Sequence, residues 1–262
     1  MFVRRLVASQ NPFVSRIGSI FGRSPAILSP RKPENIMTYP KRSAHLCLAL
    51  LAVLALGETA RAVLPVGGVE LFNGKDLSGW SLVTTPSADI AAVCHVTPEG
   101  ALAVAGKPVG YLLADGTYAN YRLHAEWRWP ADAAKSSNSG FLIFIGSGPI
   151  DRNTWPKCFQ VQTKLNRAGD LLPMAGATFA EPLSTKPGAM TPQLDRRQPS
   201  SEKPLGQWNE CDITCRDGSI ECTVNGVLQN RVTGCNPVTG QIGIQLEGTP
   251  YELRNIVLTP LK

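Results

Sequence analysis

The stretch NECDITCRDGSIECTVNGVLQ, residues 209–229, alternates apolar and polar side chains along most of its length. A period of two residues is typical of a β-strand with one buried face and one solvent-facing face. Two pairs interrupt the alternation, Asp217-Gly218 and Asn225-Gly226, and both favour the positive φ angles that tight hairpin turns require. The stretch therefore predicts consecutive antiparallel strands joined by hairpins.

Short alternating runs continue along the chain, as in YRLHAEWRW at 121–129, FQVQTKL at 159–165 and QIGIQLEG at 241–248. The run GFLIFI at 140–145 is apolar on both faces, which predicts a central strand covered on both sides. No long 3.6-residue period follows the N-terminal quarter. We therefore expect roughly ten to twelve strands in one all-β domain of two packed sheets. The Pro- and Gly-rich segment 169–204 should form a long loop of functional importance.

The N-terminal quarter has a different composition. AHLCLALLAVLALG, residues 44–57, is an apolar run of 14 residues that follows a basic pair and ends in the small residues of ETARA. It is shorter than the roughly 20 apolar residues of a membrane span, and it resembles the core of a secretory signal. We expect residues 1–62 to be a leader whose signal peptide starts at Met37 and is cleaved after Ala62. Residues 63–262 would then be an exported domain, periplasmic or extracellular, with no stable membrane span; the alternative is a leader retained as an anchor.

The leader also accounts for the basic charge of the chain. The whole sequence carries 26 Lys and Arg against 20 Asp and Glu, a formal net charge of +6. Nine of the basic and two of the acidic residues lie in the leader, which leaves a net charge of −1 for residues 63–262. A nearly neutral domain gives no support to nucleic-acid binding, so we expect no nucleic-acid partner.

Six cysteines fall in the expected domain, an even number that permits disulfides in an exported protein without assigning them. They are Cys94, Cys158, Cys211, Cys215, Cys222 and Cys235. Their spacing contains no CxxC pair, and only two histidines accompany them, so no zinc site is predicted. The cysteines of the hairpin stretch share the phase of its apolar residues. We expect them to face inward, either packed as small hydrophobic side chains or bridged within the sheet.

The polar faces of three predicted strands have an unusual composition. One carries Arg122, His124, Glu126 and Arg128, a second carries Gln160, Gln162 and Lys164, and a third carries Gln241, Gln245 and Glu247. Amides, carboxylates and guanidinium groups each offer two hydrogen-bonding atoms in one plane, which suits the vicinal hydroxyls of a sugar. The pattern indicates a sugar-binding sheet face, and the alternative is an ordinary solvated face.

A series of motifs along the domain resembles one known family. The motifs are VELFNGKDLSGW at 69–80, HAEWRW at 124–129, NSGFLIF at 138–144, CFQVQTK at 158–164, GQWNECDITCRDGSIECTVNG at 206–226 and GQIGIQLEGTPYELRNIVLTPL at 240–261. In this order they are similar to the 3-keto-disaccharide hydrolase domain family, over about residues 69–262. The resemblance implies a concanavalin A-like jelly roll, a two-sheet antiparallel β-sandwich.

The resemblance also implies a substrate class, a disaccharide or other glycoside already oxidised to a ketone at C3 of one sugar. Such a ketone acidifies the C2 hydrogen, so a base can remove it and the glycosidic oxygen at C1 can leave by β-elimination, after which water adds. This chemistry needs a base, a group that stabilises the enolate oxygen, and a proton for the leaving group.

The family's motifs, carried over onto this sequence, place candidate site residues on several strands. The candidate bases are Glu247 and Glu126, and the candidate substrate-binding residues are Asn138, Gln160, Gln162, Gln245 and Arg254. All of them are expected to line one hollow that holds the oligosaccharide or glycoside. Gln160 stands where the family usually has glutamate, so a carboxylate that could act as a base or bind a divalent metal ion is missing. The resemblance leaves both a metal requirement and catalysis itself open.

Two other functions remain open on the sequence. One is a non-catalytic carbohydrate-binding module that uses the same sheet face, which the missing glutamate at 160 favours. The other is a conventional glucanase of the same fold, but the Glu-x-Asp-x-x-Glu string of those enzymes is absent from the chain.

Overall fold

The computed structural model describes Pro65, residues 67–146 and residues 150–262. The leader expected at residues 1–62, with its proposed start at Met37, lies outside the described residues. Within them, no helix combines the length and the apolar character that crossing a bilayer requires.

The described part of the chain is nearly all β, with fourteen strands and one short helix. In chain order the strands are β1 (Val69–Glu70), β2 (Trp80–Thr85), β3 (Cys94–Val96), β4 (Leu102–Val104), β5 (Val109–Ala114), β6 (Tyr121–Arg128), β7 (Gly140–Ile145), β8 (Cys158–Gln162), β9 (Leu171–Met174), β10 (Asn209–Arg216), β11 (Ser219–Val224), β12 (Val227–Val232), β13 (Gln241–Leu246) and β14 (Tyr251–Pro260), and the helix is α1 (Ile90–Val93). The count exceeds the predicted one because β1, β3, β4 and β9 have only two to four residues. An alternating pattern cannot be recognised over so few positions.

The strands form two antiparallel sheets. Sheet A has the order β12-β11-β10-β6-β14-β4-β3, with β1 paired to β14, and sheet B has the order β2-β5-β13-β7-β8-β9. This arrangement confirms the predicted two-sheet sandwich. The opening stretch becomes β10, β11 and the start of β12, and Asp217 and Asn225 take φ angles of 49° and 48° at its two turns.

Side-chain alternation decides which residues enter the core between the sheets. Leu123 and Trp127 of β6 and Ile242 and Ile244 of β13 belong to one buried cluster, so the residues between them lie on the outer faces. Strand β7 is buried on both faces, as predicted, because Leu142 packs outward into a second apolar cluster on the outer face of sheet B.

The six cysteines within the described residues are buried, and none of these six forms a disulfide. The sulfurs of Cys211 and Cys222, on paired strands, lie 3.7 Å apart. Burial raises the pKa of Cys94, Cys215 and Cys235 to about 12. These thiols therefore stay protonated. The hairpin cysteines, Cys211, Cys215 and Cys222, pack as small core side chains, the first of the two roles predicted for them.

The predicted long loop begins with a strand, β9, that the sequence did not indicate, and then runs without a further strand to β10. Isolated bridges join Leu171 to Leu194 and Thr178 to Asn236 and so fasten the loop to the sandwich. Part of this loop covers the outer face of sheet B, where the candidate site lies.

A short connection at residues 247–250 carries the chain from β13 in sheet B to β14 in sheet A. These two strands are consecutive in sequence but belong to different layers. Their polar faces therefore lie on opposite outer surfaces of the sandwich.

Candidate functional site

A cleft of about 690 Å³ lies on the outer face of sheet B, between the sheet and the long loop. The polar rows of β8 and β13 form its floor, and loop residues between 183 and 193 form part of its wall. Five of the seven predicted site residues line it, namely Asn138, Gln160, Gln162, Gln245 and Glu247. The structure thus brings side chains from sequence-distant strands into one hollow, as expected for these five.

The floor of the cleft is a chain of hydrogen-bonded amides. Gln160, only 1% exposed, donates from Nε2 to the Oε1 atoms of Gln162 at 3.0 Å and of Gln245 at 2.8 Å. Gln245, 2% exposed, donates from its own Nε2 to Oε2 of Glu247 at 2.7 Å. Because buried amides find their partners in one another, their orientations are mutually fixed and the chain ends at one carboxylate.

The Asn-Ser-Gly segment builds one side of this floor. Asn138 donates from Nδ2 to Oε2 of Glu247 at 2.7 Å. Ser139 donates from Oγ to a backbone carbonyl of β13 at 2.7 Å. A Cβ on Gly140 would lie 2.8 Å from Cγ of Gln160, so glycine leaves the room that the Gln160 side chain occupies. The three residues of this motif thus have separate roles in one hydrogen-bond network.

Glu247 is the carboxylate at which the amide chain ends. Its side chain reaches solvent, but surrounding atoms remove part of its hydration, and this burial raises the pKa of Glu247 above its ordinary value of 4.5. The positive charges of Arg152 and Lys164 act in the opposite direction and lower that pKa. Oε2 accepts both amide N–H groups, whereas Oε1 makes no hydrogen bond to any described residue. Glu247 therefore has one oxygen held in place and one available to a ligand.

Three charged residues outside the seven candidates also line the cleft, namely Asp151, Arg152 and Lys164. Lys164 continues the phase of Gln160 and Gln162, and the sequence analysis had already placed it on the same polar row. Arg152 donates from Nε to Asp151 at 3.0 Å in an irregular loop, where its φ angle of 49° is left-handed. No periodic pattern covers that loop, so the sequence carried no signal for Arg152.

The prediction that Glu126 and Arg254 share this hollow is wrong. Both lie on the outer face of sheet A, on the other side of the sandwich, because the residues that alternate with them enter the core. Arg254 binds Oε2 of Glu126 through two nitrogens at 2.8 Å each, and Asn255 donates to Oε1 at 2.5 Å. The guanidinium of Arg254 also lies 4.1 Å from the ring centre of Trp208. With both carboxylate oxygens bound, Glu126 belongs to a network that ties strands of sheet A together.

Replacing Arg254 by methionine is expected to lower the free energy of unfolding by about 1 kcal/mol, because it removes a partly exposed ion pair and a cation–π contact. Ligand binding in the cleft should not change. Denaturant unfolding and a glycoside titration would measure the two effects. If the Arg254→Met protein folded but no longer bound ligand, Arg254 would contribute to the binding site, contrary to this assignment.

The cleft as it stands does not fit a divalent metal ion. Calcium and magnesium take several oxygen ligands, but Asp151 is paired with Arg152 and Glu247 is flanked by amide N–H groups. Across the described residues, no three His, Cys, Asp or Glu side chains gather closely enough to share a metal ion.

The arrangement can perform two chemical tasks. Glu247 can accept a proton at its available oxygen. Arg152 and Lys164, together with the amide of Gln162, can stabilise negative charge that develops on a nearby ligand oxygen.

The profile of a protein family described as the 3-keto-alpha-glucoside-1,2-lyase-like domain matches residues 67–259. No functionally curated protein matches the chain.

Several solved structures are similar to this chain. Two are proposed glycosyl hydrolases from Parabacteroides distasonis. The first is 20% identical to this chain, with a TM-score of 0.56. The match covers 75% of this chain and 95% of the chain in that structure. The second is 19% identical, with a TM-score of 0.51, and the match covers 74% of this chain and 99% of the chain in that structure. A third, from work on endo-acting O-glycanases of the human gut microbiota, is 10% identical with a TM-score of 0.51. The match covers 74% of this chain and 98% of the chain in that structure. At these identities the likeness establishes the fold, a jelly-roll sandwich, as predicted.

Proposed function

Because this chain belongs to the 3-keto-alpha-glucoside-1,2-lyase-like domain family, a carbohydrate-related group, we propose that it cleaves glycosides that carry a ketone at C3 of one sugar. In this β-elimination C2 loses a proton, C1 loses its glycosidic oxygen, and water then adds. The observation that carries the proposal is the position of Glu247 beside Arg152 and Lys164, in a cleft floored by amides.

Glu247 is the proposed base. Its Oε1 takes the C2 proton, the C2–H electron pair forms a C2–C3 double bond, and the ketone oxygen becomes an enolate. Asn138 and Gln245 hold Oε2, which leaves Oε1 for the substrate. The raised pKa of Glu247 makes it a stronger base than an ordinary glutamate.

The enolate oxygen requires a positive environment, which Arg152 and Lys164 provide on the rim of the same cleft. When the enolate collapses, the ketone re-forms, a C1–C2 double bond appears and the C1–O bond breaks. The departing oxygen takes a proton from Glu247 or from water. Addition of water across the C1–C2 double bond then yields the free 3-keto sugar.

Incubation of the purified protein with a 3-keto-disaccharide in D₂O tests the reaction. We expect release of both sugars, with deuterium at C2 of the 3-keto product, because that carbon regains its hydrogen from solvent. The unoxidised disaccharide should stay intact, since its C2 hydrogen is not acidic. Cleavage without deuterium at C2 would contradict an elimination.

The pH dependence of kcat/KM should follow the ionisation of Glu247. Only its ionised form is a base, so kcat/KM should fall about tenfold per pH unit below its pKa, which lies above 4.5. Lys164→Met removes a charge that lowers this pKa and should therefore move the acid limb to higher pH. Lys157→Met, in the same segment but outside the cleft lining, is the matched control and should leave the limb in place. A limb that moves to lower pH in Lys164→Met would contradict the assignment of Glu247.

A non-catalytic carbohydrate-binding module is the second candidate. The three buried amides of the floor favour it, because planar amides can bind vicinal hydroxyls without any chemistry. Calorimetric titration with an unoxidised glycoside separates the two functions. Tight binding of that glycoside, together with no cleavage of the 3-keto form, would support the binding module.

We also propose that the domain acts after export, in the periplasm or outside the cell. The proposal rests on the signal-like run at residues 44–57 and its small-residue end. N-terminal sequencing of protein from the exported fraction should begin at residue 63. A cytoplasmic protein that retains residues 1–62 would contradict it.

A further inference from the structure

We propose that Gln160 is a positioning residue that sets the hydrogen-bond polarity of the cleft. By donating to the side-chain oxygens of Gln162 and Gln245, Gln160 turns the N–H group of Gln162 toward the ketone oxygen of the substrate. It turns the N–H group of Gln245 toward Glu247. The inference deepens the proposed function and rests on it for the identity of the ligand.

The argument begins with the donor capacity of Gln160. Its Nε2 carries two hydrogens and contacts two side-chain acceptors, Oε1 of Gln162 at 3.0 Å and Oε1 of Gln245 at 2.8 Å; a third contact, to the carbonyl of Ser139, is 3.5 Å long. An amide nitrogen donates and cannot accept, so both neighbours must turn their oxygens toward it. Gln160 is 1% exposed, so water has little access to replace these partners.

The orientation of Gln245 is determined from both ends. Its Oε1 faces the Gln160 nitrogen, and its Nε2 lies 2.7 Å from Oε2 of Glu247. An ionised carboxylate only accepts hydrogen bonds, so it requires that nitrogen. The donor at 160 and the acceptor at 247 are therefore coupled through a single amide.

The orientation of Gln162 decides whether its amide presents a hydrogen-bond donor or an acceptor to the substrate. Because Oε1 is taken by Gln160, Nε2 is the end left for the cleft, and it makes no hydrogen bond within the described part of the chain. A ketone oxygen and an enolate oxygen accept and cannot donate, so an N–H group suits them and a carbonyl would repel them. A hydroxyl can use either end.

A glutamate at position 160 would reverse this polarity. An ionised carboxylate would draw the N–H groups of Gln162 and Gln245 toward itself. Gln162 would then present its oxygen to the ligand, and Gln245 would set its oxygen against Oε2 of Glu247. The glutamine at position 160 therefore fixes the donor and acceptor pattern of the cleft in this chain.

A matched pair of ligands tests the inference without turnover. Both are C-glycosides of glucose, whose C1–C bond cannot be eliminated, and they differ only in a ketone or a hydroxyl at C3. The readout is the ratio of their dissociation constants, which a merely structural role of Gln160 would not move. Gln160→Glu should lower the preference for the ketone by about tenfold or more.

Gln241→Glu is the control for this substitution. Gln241 lies on the same strand face as Gln245, but its Nε2 binds the carbonyl of Ala114 at 3.1 Å and it does not line the cleft. The ratio should stay at the wild-type value in this variant. Equal losses in both variants would overturn the inference.

A neutral variant covers the case in which a buried glutamate prevents folding. Gln160→Met removes the donor without adding charge and frees both amides to turn, so the ketone preference should fall. In a Gln162→Met background the same change should have no further effect on the ketone preference, because Gln160 influences that preference through Gln162. A folded Gln160→Glu or Gln160→Met protein with the wild-type ratio would overturn the inference.

Failure of the proposed function would look different. It would appear as wild-type protein that leaves a 3-keto O-glycoside uncleaved. A ketone preference that still depends on Gln160 in that protein would support the positioning role on its own.

Discussion

Glu247→Gln is expected to lower kcat for a 3-keto glycoside by about 10³-fold, because an amide cannot take the C2 proton. The folded state and ligand affinity should remain close to wild type. The oxygen of a glutamine at 247 can still accept from Asn138 and Gln245, which preserves the amide chain. Single-turnover release of sugar, together with titration of a non-cleavable ligand, would separate the chemical step from binding.

The same substitution at Glu126 is the matched control. Glu126 is held by Arg254 and Asn255 on the opposite face of the sandwich, so Glu126→Gln should retain nearly full kcat. If Glu126→Gln stopped turnover and Glu247→Gln did not, the cleft on sheet B would not be the active site.

Asp170→Ala is expected to lower the free energy of unfolding by roughly 3 kcal/mol and to raise KM. Asp170 is fully buried and binds Arg167 at 2.6 Å, the backbone N–H of Arg196 at 2.8 Å and Gln193, which lines the cleft, at 3.1 Å. Burial raises the pKa of Asp170 despite these donors, so the desolvation of the charged carboxylate outweighs their attraction. The expected loss arises mainly because several partly buried donors lose their acceptor at the base of the loop wall.

Asp195→Ala is the control for the loop. Asp195 accepts from the same Arg167 and Gln193 side chains, each at 2.6 Å, but it is exposed. Its removal should cost about 1 kcal/mol or less, because water can replace an exposed acceptor. Thermal or denaturant unfolding of both variants, with KM measured in parallel, would check the contrast. Equal destabilisation by the two changes would mean that burial of Asp170 is not what anchors the wall.

The fold was predictable because its evidence is local. The hairpin stretch at residues 209–229 and the apolar run at 140–145 each contain enough positions for a pattern, and both form the strands expected of them. Strand β9 was missed because its four residues include Pro173 and no clear alternation. Residues in irregular loops, such as Arg152 and the wall residue Met190, have no periodic signal at all.

The candidate site was predictable only within single strands. Gln160 and Gln162 share one face of β8 and meet in the cleft because a period of two residues places them there. The same reasoning correctly put Glu126 on a polar face of β6. It could not tell that this face belongs to the other outer surface, opposite the cleft.

The sequence by itself therefore determined which apolar side chains enter the core, where the hairpins turn, and which polar groups lie side by side on each strand. Only the tertiary structure decided which polar faces meet. Alternation acts over two residues and can be read locally, whereas the sheet that a strand joins depends on distant hydrogen-bonding partners. Glu126 and Arg254, 128 residues apart, are paired in sheet A, while the short connection after Leu246 carries the chain into the other sheet, so Arg254 lies on the opposite outer face from the cleft that Glu247 lines.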